Sequence, residues 1–173
     1  MSQTTVRARP VNGDAFRDLM GAFPSGVSVV TTADTDMTPY GLTCSSLCSV
    51  SVCPPTLLVC IDNRSGTLAA LLRRGTFAIN FLHSEGCRAA RLFASGDPDR
   101  FSGVVWRPSP TWSLPYLVED AHAIAECELL RTVVASDHTV VLGHVMDIDR
   151  RPAPPLLYGL RRFAPWPCEG VLP

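Results

Sequence analysis

The sequence contains no lysine, so all 15 of its basic residues are arginine. That absence removes Schiff-base chemistry, pyridoxal phosphate attachment and the P-loop lysine together. No GxSxG elbow occurs, and although Ser45, Asp137 and His138 supply the residue types of a hydrolytic triad, the sharp strand-to-helix turn that presents the serine is missing. Asp97 and Asp99 lie in a Gly/Pro turn, where solvated loop charge is the ordinary role of a carboxylate. No GxGxxG turn opens a helix, so any nicotinamide nucleotide must bind outside a Rossmann fold. The seven cysteines (44, 48, 53, 60, 87, 127 and 168) include no CxxC and no paired Cys/His spacing, which argues against a metal site and reads as small apolar filler in a reduced compartment. Uninterrupted apolar runs of about 18 residues are absent, and the start MSQTTVRARP lacks the apolar core of a signal peptide, so neither a membrane association nor export is expected and the location expected is cytoplasmic. Charge is scarce as well, at 18% of residues with a formal net of -1, and no basic arm is present to draw nucleic acid.

What is present is a chain of 173 residues, 46% hydrophobic, which is enough for one well-cored domain. That domain is expected over residues 13–164, between a flexible N-terminal arm (1–12) and a Pro-rich tail (165–173). Phe16, Leu19, Met20 and Phe23 predict a helix over 14–23 with Asp14 as its N-cap. GVSVVTTA predicts a half-buried strand, and a strand from Tyr40 should return antiparallel to it across DTDMTP. TLLVCI is short and continuously apolar, as in a strand buried on both faces. Leu68, Leu71 and Leu72 predict a helix over 67–74 that Gly75 stops. FAINFL is a further strand, residues 84–94 a further helix, and RPSPTWSLPYL is irregular. Two strands, 121–134 and 138–148, should form a long hairpin across ASD, and APPLLYGLRRF is expected to end in an edge strand. Seven or so strands against two or three helices predict a mainly β fold, a barrel with helical decorations.

The stretch YGLTCSSLCSVSVCPPTLLVCIDNRSGT (40–67) alternates short hydroxyl residues with β-formers, and Pro54-Pro55 forces a turn inside it. It reads as two strands with a polar rim. Thr43, Ser45 and the backbone around Ser49–Ser51 lie along that rim, and the turn and helix start at Asn63–Thr67 can hold a phosphate through hydroxyls, Arg64 and the helix N-terminus. The residues alone leave two readings open, a ligand rim or a solvated strand pair.

The blocks FRDLMGAFPSGVSVVTT, GLTCSSLCSVSVCPPTLLVCIDNRSGT, GTFAINFL, SDHTVVLGHV and PLLYGLRRF, in this order over residues 16–163, resemble the short-chain flavin reductases that serve two-component flavin-dependent monooxygenases. The resemblance implies an FMN-binding split β-barrel, Greek-key-like and homodimeric, that uses NADH or NADPH to reduce free FMN or FAD and passes the reduced flavin to a partner monooxygenase. By the same resemblance Thr43, Cys44, Ser45, Ser46, Ser49, Val50 and Ser51 line the flavin ring and ribityl chain, and Asn63, Arg64, Ser65 and Thr67 meet its phosphate. Asn80 and Phe81 back the ring, and Phe93, Ala94, Ser95, Arg100 and Phe101 lie near a distal phosphate or adenine. His138 matches the histidine of the family's Gly-Asp-His motif, associated with nicotinamide, and Tyr158 with Arg161 and Arg162 completes that side. Ser136 stands where the motif has glycine, a substitution that strains any turn needing a positive φ. The alternative is a flavin-binding split-barrel protein that holds flavin tightly with another redox substrate or without reductase activity.

Overall fold

The computed structural model of the chain describes residues 9–167. The elements in order are α1 (Gly13–Gly21), β1 (Ser25–Gly26), β2 (Ser28–Ala33), β3 (Pro39–Cys44), β4 (Leu47–Val52), β5 (Pro55–Asp62), α2 (Gly66–Arg74), β6 (Thr76–Leu82) and α3 (Cys87–Ala94). A 3-10 turn (Arg100–Gly103) follows, then β7 (Arg107–Pro108), β8 (Pro115–Tyr116), β9 (Ala121–Ala135), β10 (His138–Arg150), β11 (Leu156–Gly159) and β12 (Arg162–Pro165). Most of the expected arm (residues 1–8) and tail (residues 168–173) lies outside the described residues.

Seven strands form one antiparallel sheet in the order β3-β2-β6-β9-β10-β5-β4. β3 and β4 stand at its opposite edges, yet only Ser45 and Ser46 join them. A two-residue link spans roughly 7–10 Å, so the sheet must curl until its edges almost meet. The two edges are not hydrogen-bonded to each other, and the result is a barrel with an open seam. Ser46 pins the link to the β5 side, its Oγ donating to the Cys60 carbonyl (3.0 Å) and accepting from the Cys60 N–H (3.3 Å). Ser28 pins the other side by donating to the Cys44 carbonyl (2.9 Å).

The barrel interior holds Val30, Val59, Ile61, Phe77, Ile79 and Val141, and α2 contributes Leu68 and Leu71 to the same cluster. Gly143 is needed here, because a Cβ at that position would stand 2.4 Å from the Phe77 ring. A second cluster lies outside the sheet, where Val27 and Val29 meet Ala90 and Phe93 of α3 together with Leu117 and Leu156. β2 is therefore buried along its whole length, which corrects the expectation of a half-buried strand. Its hydroxyls are satisfied by carbonyls, Thr31 donating to Pro115 (2.6 Å) and Thr32 to Thr76 (2.8 Å).

Other boundaries move for local reasons. Asn12, not Asp14, caps α1, with its side chain accepting from the Ala15 N–H (2.8 Å), while Asp14 pairs with Arg17 one turn on. α3 begins at Cys87, since Ser84 donates to the Pro154 carbonyl and Gly86 to the His83 carbonyl in a turn. β5 buries Leu57, Val59 and Ile61 on one face and leaves Leu58 and Cys60 only partly covered. The stretch 40–67 contains three strands rather than two, and the last apolar segment makes a small sheet in the order β1-β11-β12. The α2 helix and its Gly75 stop (φ +74°) and the β9–β10 hairpin form as expected.

Candidate functional site

A groove follows the barrel seam. Its main lobe, about 920 Å³, is walled by Thr43, Cys44, Ser45 and Ser46 on one side and by Cys60, Ile61, Asp62, Arg64, Ser65 and His138 on the other, with Phe93, Ala94 and Arg100 across it. A second lobe of about 460 Å³ shares Thr43, Ser45 and Ala94 and adds Val27, Arg91, Ser95, Tyr158, Arg161 and Phe163. A third, about 490 Å³, continues past Ser65 and Arg100 to Tyr40, Gly66, Thr67 and Phe101. The three form one elongated trough centred on the Ser45–Ser46 link.

The seam explains why polar groups are available there. In a closed barrel the backbone of this link would pair with a neighbouring strand, whereas an open seam leaves it free to meet a ligand. Ser45 is exposed and its hydroxyl makes no hydrogen bond among the described residues. Thr43 donates instead to the Ala90 carbonyl (2.6 Å), which ties α3 to β3. The Cys44 Sγ lies 3.3 Å from the Ser46 hydroxyl, and burial pushes its thiol up, so it is not a nucleophile at neutral pH. Ser65 begins α2 without a side-chain capping bond, so the first N–H groups of the helix remain for an anion at the junction of two lobes. Arg64 reaches Asp62 with Nε (3.1 Å) and Nη2 (2.7 Å), and its guanidinium and backbone N–H hold the Asp62 carboxyl well below the usual carboxylate range, with the His138 charge adding a smaller effect. Arg100 bridges from the Asp97 carbonyl (2.7 Å) to the Gly41 carbonyl (2.8 Å) and fixes the far wall. Phe101 packs edge-on between Phe93 (5.0 Å) and Trp106 (5.7 Å). Ser95 donates to the Leu92 carbonyl and closes α3.

His138 opens β10 directly opposite Asp62. Its Nδ1 lies 2.9 Å from Asp137 Oδ1, and this hydrogen bond is the main cause that lowers the Asp137 carboxyl. An ionised carboxylate can only accept, so Nδ1 carries the proton and Nε2 is the nitrogen left free. The Ser136–Asp137 turn that presents the ring has Ser136 at φ +58°, a left-handed first position that explains why glycine is favoured there.

Several expected residues stand elsewhere. Asn80 is fully buried, with Nδ2 donating to the Val29 carbonyl (3.1 Å) and Thr31 Oγ1 (3.0 Å) and Oδ1 accepting from the Leu117 N–H (2.8 Å), so its amide is engaged by the fold. Phe81 packs against the barrel interior. Ser49, Val50 and Ser51 run down edge strand β4, which carries a bulge between Ser49 and Ser51, and line none of the three lobes. Asn63 turns its side chain to the β9–β10 turn rather than to the groove. Tyr158 and Arg161 line the second lobe and His138 the first, so the two parts of the expected nicotinamide side are separated by Ser45; Arg162 lines neither. Arg161 also forms an ion pair with Asp18 of α1. Arg91 was not foreseen. It stacks over the Phe163 ring at 5.8 Å with no carboxylate partner among the described residues, and only the path of α3 beneath the groove reveals it. Asp137 was legible as the middle residue of the Gly-Asp-His pattern, whereas Asp62 becomes visible only through strand register.

The trough is long, lined by short hydroxyls, exposed backbone and arginines, and has an anion-accepting helix start beside it, which fits a nucleotide carrying a flat ring. Known proteins agree. The Flavin reductase like domain matches residues 20–167. A flavin reductase (NADPH) of Lentzea aerocolonigenes is 49% identical over 154 residues, 89% of this chain and 90% of that protein. The reductase subunit HsaB of a flavin-dependent monooxygenase from Rhodococcus jostii is 36% identical over 163 residues, 91% of this chain and 82% of the subunit. The crystal structure of an NADH:FAD oxidoreductase from Streptomyces globisporus, in complex with NAD and FAD fragments, superposes with a TM-score of 0.86 at 32% identity, covering 95% of this chain and all of that one (100%). With the split-barrel sheet, the seam groove and a match across nearly its whole length, the chain belongs to the flavin reductase like domain family.

Proposed function

We propose that the protein is an NAD(P)H:flavin oxidoreductase that reduces diffusible FMN or FAD in the seam groove and delivers it to a flavin-dependent monooxygenase. The observation that carries this is the groove's chemistry, a trough lined by short hydroxyls, exposed backbone around Ser45 and an anion-accepting helix start. Bound together, the nicotinamide nucleotide supplies a hydride and the flavin ring accepts it. The protein then has to align two flat rings and meet the negative charge that reduction leaves on ring oxygens. Ser45, Ser46 and the backbone around them would face the ring. Ser65, with the α2 N-terminus and Arg64, would hold a phosphate, and Arg100 and Phe101 would border an adenine if FAD is bound. His138, with its free Nε2, would orient the nicotinamide from the β10 side. The relatives named for NADPH and for NADH support either donor, and the monooxygenase subunit among them supports transfer to an oxygenase.

A second copy of the chain is the proposed neighbour of this site. Phe16, Leu19, Met20 and Phe23 of the α1 region are 57%, 67%, 47% and 67% exposed. Such an apolar face normally marks an interface. The groove beneath α1 is continuous with the seam through Ser45 and Ser46, so a copy docked there would border the flavin site. A reducing, cytoplasmic setting suits the six described cysteines, all of them free, and no described helix is long and apolar enough to cross a membrane.

The test is a steady-state assay that crosses FMN and FAD with NADH and NADPH. Nucleotide oxidation should require added flavin and rise to saturation with it. Absence of flavin-dependent oxidation in every pairing would refute the assignment.

A further inference from the structure

Two carbonyls of the turn before His138, those of Ser136 and Asp137, lie outside the β9–β10 ladder and are open to other partners. One residue provides both. Asn63, just past β5, donates its backbone N–H to the Asp137 carbonyl (3.0 Å) and its Nδ2 to the Ser136 carbonyl (3.1 Å). Its Oδ1 accepts from Thr139 Oγ1 at 2.7 Å, on the other side of His138. A single residue therefore grips positions 136 and 139 with its side chain and position 137 with its backbone, and His138 lies between them in the chain. We propose that Asn63 is a positioning residue for His138 rather than a phosphate ligand; this rests on the reductase reading only for its effect on turnover.

The need for such a grip follows from Ser136. At φ +58° a serine is strained where glycine would not be, and it holds that conformation only if its surroundings impose it. The Nδ2 bond to the Ser136 carbonyl fixes one end of the strained peptide, and the Thr139 bond fixes the amide plane that makes this contact. Released, Ser136 relaxes to negative φ, the Asp137 carboxylate swings off Nδ1, and the ring loses both its orientation and its single protonated nitrogen. Glycine at position 136 would make Asn63 dispensable.

The experiment is Asn63→Ala, alone and with Ser136→Gly or His138→Ala. Asn63→Ala should raise the KM for the nicotinamide nucleotide about tenfold, as expected for the loss of roughly one net hydrogen bond's worth of ordering, with the flavin Kd from fluorescence quenching unchanged. Ser136→Gly should restore the KM, and in the His138→Ala background Asn63→Ala should have no further effect. Nitrogen NMR of the His138 ring gives a readout that needs no turnover. The wild-type neutral ring should carry its proton on Nδ1, and Asn63→Ala should average the two nitrogens. Should Asn63→Ala fold poorly, Thr139→Val keeps both donor bonds and should shift the same ring signals by less. A rise in flavin Kd with an unchanged nicotinamide KM would make Asn63 a phosphate ligand and overturn the proposal, as would an unchanged ring spectrum. A changed ring spectrum in a protein without reductase turnover would uphold the positioning and reject the reductase reading.

Discussion

Asn80 separates a residue that binds ligand from one that holds the barrel, and Asn80→Ala decides which it is. The side chain links three segments, β2 through Val29 and Thr31, β6 through its own backbone, and the β8 segment through Leu117. Thr31 keeps its bond to the Pro115 carbonyl after truncation, so the certain loss is the partner of the buried Leu117 N–H. An orphaned buried donor costs about 1–3 kcal/mol, and the space left by the amide adds about 1 kcal/mol if it does not collapse. The sum, roughly 2–4 kcal/mol, corresponds to a fall in Tm of about 5–15 °C for a domain of this size. Urea titration followed by tryptophan fluorescence measures the first quantity, and flavin titration at a temperature where both proteins are folded measures the second. The expected outcome is a large loss of stability with an unchanged flavin Kd. A variant with wild-type stability and tenfold weaker flavin binding would refute the structural role and restore Asn80 to the ring.

Two further outcomes follow from charge and from the α1 face. The Asp34 carboxyl is held below its usual range chiefly by its hydrogen bonds to Arg73 of α2, so its contribution is present above the unfolded carboxylate pKa of about 3.9 and is lost as pH falls through the lower folded value. Asp34→Asn should therefore lower the unfolding midpoint at pH 7 and have little effect near pH 2; an equal loss at both would assign the effect to packing. Phe16→Asp combined with Met20→Asp should convert a dimer to a monomer in analytical ultracentrifugation with little change in far-ultraviolet circular dichroism. A wild-type protein that sediments as a monomer would remove the proposed second copy.

Local chemistry made much of the barrel legible. The β9–β10 hairpin, α2 with its Gly75 stop and the pairing of β3 against β2 follow from patterns within a few residues. The errors share a cause, which is distance along the chain. β2 looked half-buried because α3 and the 105–118 segment that cover its outer face come about sixty and about eighty residues later. An asparagine side chain suits a phosphate, a ring carbonyl or a strand carbonyl equally well, and nothing near it in sequence selects among them. The Asn63 side chain bonds to Ser136, 73 positions away, and the Asn80 side chain to Val29 and Leu117, 51 and 37 positions away. The strain at Ser136 was readable, since the turn position itself calls for glycine. The separation of His138 from Tyr158 was not, because it depends on which side of Ser45 each strand reaches.

The split in the barrel and the chemistry of the site are connected. Sealing the seam would consume the backbone around Ser45 and Ser46 in ladder hydrogen bonds and leave nothing to meet a ring edge. Keeping it open exposes polar groups, which must be held rigidly or they would rearrange around each ligand. The Ser46 bonds to Cys60, the Thr43 bond to Ala90 and the Arg100 bond to Gly41 hold them from three sides. The ionisable neighbours are locked as well. Hydrogen bonds keep Asp62 and Asp137 ionised, burial keeps the Cys44 thiol protonated, and arginine does not lose its charge. With His138 aside, the site holds a fixed set of charges from these groups. It suits hydride transfer, in which an unchanging set of dipoles has only to align two rings and receive the charge that passes between them.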